Sequence, residues 1–376
     1  MNLDEFTSFQ KLDSLDMLSE IDHLPDQLLS AWEMGQKFPL PWEGHENPGS
    51  SIRHVVLSGM GGSAIGADLL LAYIVSTCRL PVIVWRDYGL PAWAMGPDTL
   101  VIVSSHSGDT EEALSTFDAA CQSACRILTV CTGGELERRA VSGGLPLWKF
   151  AHPGQPRAAV GFSFGFLLSA FSRLGLIEES SDSTAEAVTA AVEAMKKLQG
   201  SLLATIPVVR NPAKRQAGQV MGRWVNVFGA GILVPVARRW KTQLNELAKA
   251  GAGFEILPEA DHNALAGLIH PIDIQSHTLT IFLRSHFDQP RNQLRTDLTR
   301  HEFTVEGLNT DVYDAQGESP LAHMWTALQF GDYMAYYLAM LYGVDPTPVE
   351  ALANFKIAMK VASGSASPPS SGPSRG

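Results

Sequence analysis

Two stretches crowd hydroxyls and glycines between an apolar run and a helical one. "SGMGGSAIG" at 58–66 follows "HVVL", and "SSHSGDT" at 104–110 lies between "LVIV" and "EEALSTFDAACQSA". A turn of this kind suits an anion. The first N–H groups of a helix have no partner inside it and carry the positive end of its dipole. Ser104, Ser105, Ser107 and Thr110 add O–H donors in one loop, and Ser58 and Ser63 in the other. Gly61, Gly62 and Gly108 allow backbone to approach a ligand closely. Capping of the next helix by Asp109 or Thr110 would account for the second turn alone. It does not account for two such turns, which would open into one crevice at the ends of neighbouring strands. The first turn is no Walker A loop, since no GK[ST] is present, and its spacing does not fit a dinucleotide fingerprint. The pair predicts phosphate binding.

The elements that carry these turns alternate. From 54 to about 150, the strands "HVVLSG", "PVIVWRD", "TLVIVSS", "RILTVCT" and "LPLWKF" are separated by helical segments. Short apolar strands between helices imply a parallel sheet covered on both faces. "AAVGFSFGFLLSAFSRLGLI" reads as a buried helix closing this unit, and residues 178–220 as a helical bridge. A second α/β pattern has strands at "RWVNVFGAG", "GFEILPE" and "HTLTIFLRS", with further β signal in "FTVEGL" and "NTDVYDA". The expected fold class is α/β, with two doubly wound, flavodoxin-like parallel-sheet domains and flanking N- and C-terminal helices. The expected divisions are a helical segment at 1–50, a phosphate-binding domain at 51–178, linking helices and a second domain at 179–345, a C-terminal helix at 346–362 and a disordered Ser/Pro/Gly tail at 363–376. The two halves echo each other in "VVLSGMGGSAIGADLLL" and "VNVFGAGILVPVARRWK", but the second turn is apolar. Phosphate is therefore expected on the first half alone.

Composition narrows the partners. The 376 residues are 45% hydrophobic and 18% charged, with a formal net charge of −11. That balance fits a globular core and lacks the basic field that nucleic acid needs. The longest stretch free of Asp, Glu, Lys and Arg near 158–172 is about 15 residues, short of the roughly 20 that span a membrane. Four cysteines without a CxxC, and an acidic polar start, point to a cytoplasmic protein with no disulfide framework.

"GMGGSAIG", "SHSGDTEEA", "NELAKAG…LPEADHNALAGL" and "PVEALANFK" occur in the order found in the bifunctional phosphoglucose/phosphomannose isomerase family, and the chain resembles that family from about residue 50 to 360. The family is built from two sugar isomerase (SIS) domains. The resemblance implies a hexose 6-phosphate substrate, with phosphate on Gly61, Gly62, Ser63, Ser105, Ser107 and Thr110. It implies proton transfer between C1 and C2 through an enediol, with Glu246 as base and no metal or organic cofactor. It places the ring-opening histidine at His262, contributed across a homodimer interface, and matches the family's arginine and lysine to Arg157 and Lys356. Asp109 stands where the family often has Asn, His106 replaces a common aromatic, and Ala248 replaces a frequent serine.

The residue types suit these roles. A carboxylate partly desolvated in a cleft can take a proton from carbon next to a carbonyl, and Glu246 lies off the Trp240, Leu244, Leu247 stripe of its helix; a solvated surface carboxylate would show the same pattern. Histidine titrates near neutrality, as a proton shuttle to a ring oxygen requires. Arg157 offers a fixed fork of donors for enediolate charge, or for a structural ion pair. Lys356 falls inside the stripe of Val349, Leu352, Phe355 and Met359, so it must snorkel, pair or face a polar pocket. Two other readings remain open at this point: an amino-sugar phosphate isomerase on the same fold, and a sugar-phosphate sensor without catalysis.

Overall fold

The structure, a computed structural model, describes residues 2–42 and 51–362. The expected tail at 363–376 and the end of the N-terminal segment lie outside the described residues. Among the described residues, three helices precede the first sheet: α1 (Phe6–Phe9), α2 (Met17–Asp22) and α3 (Leu24–Gly35). Pro25 sits in the first turn of α3, where its missing N–H costs nothing.

The first lobe runs β1 (His54–Ser58), α4 (Gly61–Ile74), β2 (Val82–Trp85), β3 (Thr99–Ser105), α5 (Glu111–Gln122), β4 (Arg126–Cys131), α6 (Gly134–Ser142), β5 (Leu147–Lys149) and α7 (Val160–Arg173). Its sheet has the order β2-β1-β3-β4-β5 and every pairing is parallel. Successive side chains of a strand face opposite ways, and β3 shows the result. Leu100 and Ile102 join the core under α4 and α7, while Val101 and Val103 join Phe117, Ala120 and Leu136 under α5 and α6.

Two helices, α8 (Ser181–Gln199) and α9 (Pro212–Val220), lead to the second lobe. There β6 (Trp224–Ala230), α10 (Val234–Glu246), β7 (Ala252–Leu257), α11 (Ile272–Ser276), β8 (Thr278–Arg284), α12 (Pro290–Val305) and β9 (Asn309–Asp314) form a parallel sheet of order β7-β6-β8-β9. The described residues end in α13 (Pro320–Tyr342) and α14 (Glu350–Ala362). The expected β signal at "FTVEGL" is not a strand: Phe303 belongs to the last turns of α12 and packs edge-on against Phe228 and Phe282.

One apolar core runs through both lobes, and α13 lies in it with twenty consecutive residues buried, Leu321 to Met340. Helix α10 is pinned to α13. Arg239 pairs bidentately with Asp332 at 3.1 and 2.8 Å, and Trp240 Nε1 donates to the Ala327 carbonyl at 2.8 Å. Gly331 makes the close approach possible, since a Cβ there would lie 2.2 Å from Trp240 Nε1. These contacts set the rotation of α10 and so the direction of its last residue, Glu246. No helix among the described residues is long and apolar enough to cross a membrane.

Candidate active site between the lobes

The two hydroxyl-and-glycine turns lie side by side. Strands β1 and β3 are neighbours in register, with Ser58 opposite Val103. A Cβ on Gly59 would lie 2.9 Å from the Ser104 carbonyl oxygen. Gly61, at φ +51°, Gly62 and the buried Ser63 form the first turn of α4. In the second turn, Ser105 Oγ donates to Thr110 Oγ1 at 3.0 Å and accepts the Gly108 N–H at 3.1 Å. Ser107 Oγ accepts the Asp109 N–H at 3.2 Å. These bonds fold the loop onto the start of α5, with Thr110 at its N-cap position. Both helices thus present their unpartnered N–H groups at the same edge of the sheet.

Asp109 does not cap α5. Its Oδ1 accepts the Glu135 N–H at 2.9 Å, in the first turn of α6. The carboxylate that would oppose a phosphate is thereby committed to another helix.

Arg157 links these turns to the second lobe. It lies in a 3-10 turn, Pro156–Ala158, whose backbone packs directly on α4: a Cβ on Gly62 would stand 2.2 Å from the Pro156 carbonyl oxygen. The guanidinium is buried. Nη2 donates to the Pro346 carbonyl at 3.0 Å and to that of Thr347, and Nη1 lies 3.5 Å from Glu246 Oε2. Burial pushes its pKa down, and Glu246 opposes that shift. Two polar atoms here are buried without a partner, Arg157 Nε and Thr347 Oγ1. An orphaned donor of this kind calls for an explanation.

Glu246 is half-buried at the C-terminus of α10. Asn245 Nδ2 donates to the Ala250 carbonyl at 2.8 Å and closes the turn that follows. Lys249 sits in that turn at φ +56°, and its Nζ donates to the carbonyls of Glu246 at 2.6 Å and Pro346 at 3.2 Å. Burial first, and then Arg157, push the Lys249 ammonium down to about 8. Two cations therefore share one carbonyl beside the carboxylate. Sequence reasoning missed both Lys249 and Thr347. The αL backbone at Lys249 has no sequence signal, and Thr347 comes into view only through its contact with Arg157.

The other two expected site residues are elsewhere. His262 is exposed in a 3-10 turn after β7. Glu246 precedes β7 and His262 follows it, and six strand residues span about 20 Å, so one chain does not bring them together. Lys356 lies on α14, none of whose residues is buried. The apolar stripe around it, with Leu352 and Phe355 half or more exposed, has no cover among the described residues.

The second lobe's corresponding turn is filled. Asp288, buried, lies against Gly231 with Oδ1 2.4 Å from where a Cβ would be. Its carboxyl faces the Ile232 and Ser285 amides, but burial prevails and pushes its pKa up to about 7.

Comparison with known proteins agrees with this architecture. The bacterial phospho-glucose isomerase C-terminal SIS domain matches residues 209–359. A glucose-6-phosphate isomerase-like protein from Thermus thermophilus shares the fold at a TM-score of 0.61 and 20% identity, covering 94% of this chain and 99% of its own. Tagatose-6-phosphate ketose/aldose isomerase from Escherichia coli does so at 0.65 and 14%, covering 87% and 93%. A bifunctional phosphoglucose/phosphomannose isomerase from Caldicellulosiruptor bescii is 36% identical over 339 residues, 89% of this chain and 96% of that protein. With two parallel-sheet lobes, an arginine joining them and this extent of identity, the chain belongs to the bifunctional phosphoglucose/phosphomannose isomerase family.

Proposed function

We propose that the chain interconverts fructose 6-phosphate with glucose 6-phosphate and mannose 6-phosphate. The observation that carries this reading is the buried Arg157, which touches the glycine turn on one side and Glu246 on the other and keeps Nε free. Substrate phosphate rests on Gly61, Gly62, Ser63, Ser105, Ser107 and Thr110, and the sugar chain extends towards Arg157. From the ketose side, Glu246 takes a proton from C1 and the pair of electrons forms the enediolate double bond. The negative oxygen is held by Arg157. Glu246 then returns the proton to C2 while the hydroxyl proton of O1 passes to O2, which leaves C1 as the aldehyde carbonyl. Delivery to one face or the other of the planar intermediate yields glucose or mannose configuration.

Ring opening is assigned to His262 and Lys356. Because His262 lies at the far end of β7 from Glu246, His262 enters the site from a second copy of the chain. The protein then works as a homodimer.

The test supplies purified chain with fructose 6-phosphate and measures both aldose 6-phosphates. Glu246→Gln is expected to keep substrate binding and lose roughly 10²- to 10⁴-fold in turnover, the usual worth of a general base. Retained turnover would remove Glu246 from the base role. Formation of neither aldose by the unaltered protein would favour a sensor.

A further inference from the structure

His106, the departure from the family's aromatic residue, is joined to two residues far away in sequence. Its Nε2 lies 2.9 Å from His152 Nδ1, and His152 Nε2 lies 2.8 Å from Glu20 Oε2. The carboxylate accepts from His152 Nε2–H, which leaves His152 Nδ1 as the acceptor for His106 Nε2–H. The chain of bonds is enclosed. The His152 side chain is 6% exposed and packs against Phe162, while His106 meets Phe150 edge-on.

The three residues come from three segments: α2, the serine turn after β3, and the loop that carries Arg157. The loop is held tightly along its length. A Cβ on Gly154 would stand 2.3 Å from Glu20 Oε1, and Pro156 is in contact with Gly62. The first of these contacts brings the Glu20 carboxylate directly against the loop backbone.

We propose that Glu20 and His152 are positioning residues that act through His106, holding the serine turn in register with the arginine loop. The inference rests on the reading of that turn as the phosphate grip. The titratable groups bearing on His106 are His152, which disfavours its cation, and Glu20, which favours it; burial, the largest influence, acts with His152 and holds the imidazole down to about 4. At neutral pH the relay therefore fixes geometry without placing a cation in the loop.

The experiment titrates inorganic phosphate and fructose 6-phosphate into the full chain and into His152→Ala and His152→Gln, alongside KM and kcat. His152→Ala is expected to weaken phosphate binding and raise KM about tenfold, the equivalent of about 1.4 kcal/mol, with a smaller change in kcat. The Gln side-chain oxygen can accept from His106 Nε2–H, so His152→Gln is expected to recover most of the loss. A further readout separates positioning from simple packing. A positioning role falls on phosphate affinity and KM and is recovered in His152→Gln, whereas a loss of packing alone lowers the melting temperature of both variants and leaves phosphate affinity in place.

Phosphate affinity within about twofold of the unaltered protein in His152→Ala, or equal losses in the Ala and Gln variants, would overturn the proposal. Should His152→Ala not fold, the Gln variant and Glu20→Gln decide. Phosphate binding that depends on His152 in a protein without turnover would remove the isomerase reading and keep the relay. Intact turnover with unchanged affinity would do the reverse, and a protein that binds no phosphate would end both.

Discussion

Replacing Gly62 with alanine probes the junction between the glycine turn and the arginine loop. The new Cβ would stand 2.2 Å from the Pro156 carbonyl oxygen and 2.7 Å from its carbon. Both are backbone atoms, so no rotamer change can relieve the clash. Restoring a 3.4 Å contact from 2.2 Å requires the two segments to part by about 1.2 Å. Arg157 is tied to the Pro346 and Thr347 carbonyls, so the first turn of α4 must retreat from the crevice or the guanidinium must leave Glu246. A misplacement of about 1 Å costs on the order of 100-fold in rate, and overpacking costs about 1–3 kcal/mol in stability. The assay follows kcat/KM for fructose 6-phosphate together with thermal unfolding. Gly218→Ala in α9 is the control, since a Cβ there meets nothing within 4 Å; it is expected to stabilise by up to about 1 kcal/mol and leave the rate alone. A Gly62→Ala protein that keeps kcat/KM within about threefold of the original would refute the link between this contact and the placement of Arg157.

Arg157→Lys removes the planar fork, and a single ammonium cannot serve two carbonyls, Glu246 and the reacting oxygen together. Its kcat/KM is expected to fall roughly 100-fold, with phosphate binding retained; an unchanged rate would exclude the assigned role. Asp109→Ala is expected to cost about 1 kcal/mol through loss of the α6 cap, whereas Asp109→Asn keeps an oxygen for the Glu135 N–H and most of that stability. A large gain in phosphate affinity in Asp109→Asn would mean that the carboxylate faces the ligand after all. His106 titrates at about 4 in the folded protein, below its ordinary 6.5, so on acidification the unfolded chain takes up this proton first. Its contribution to stability is complete above pH 6.5 and is lost as pH falls through about 4. Melting temperatures between pH 7 and 4 are expected to fall less steeply in His106→Asn, and identical slopes would dismiss the effect.

Much of this architecture was legible because its signals are local. The apolar runs of β1, β3, β4, β6 and β8 are bounded by turn residues, and each hydroxyl-rich loop carries its chemistry within a few positions. Glu246 could be separated from the Trp240–Leu244 stripe on a helical wheel because that stripe is wholly buried. The errors and omissions come from tertiary contacts. Asp109 invites a reading as cap of the adjacent α5, but the N–H it accepts belongs to Glu135. "FTVEGL" has strand-like residues, yet Phe303 gains more from the Phe228 and Phe282 rings as part of α12. Glu20, His106 and His152 are too far apart in the chain for any spacing rule to join them. Lys249 enters the site through a left-handed backbone turn that an ordinary lysine gives no hint of.

Asp288 shows what became of the duplicated turn. In a repeated fold, each copy inherits a hollow lined with backbone amides. The first copy lines that hollow with glycines and hydroxyls, and the second fills its own with the Asp288 carboxyl, set against Gly231. Symmetry of the scaffold thus coexists with asymmetry of its turns: on the proposed reading, the trailing half supplies reactive groups and does not compete for the substrate's handle.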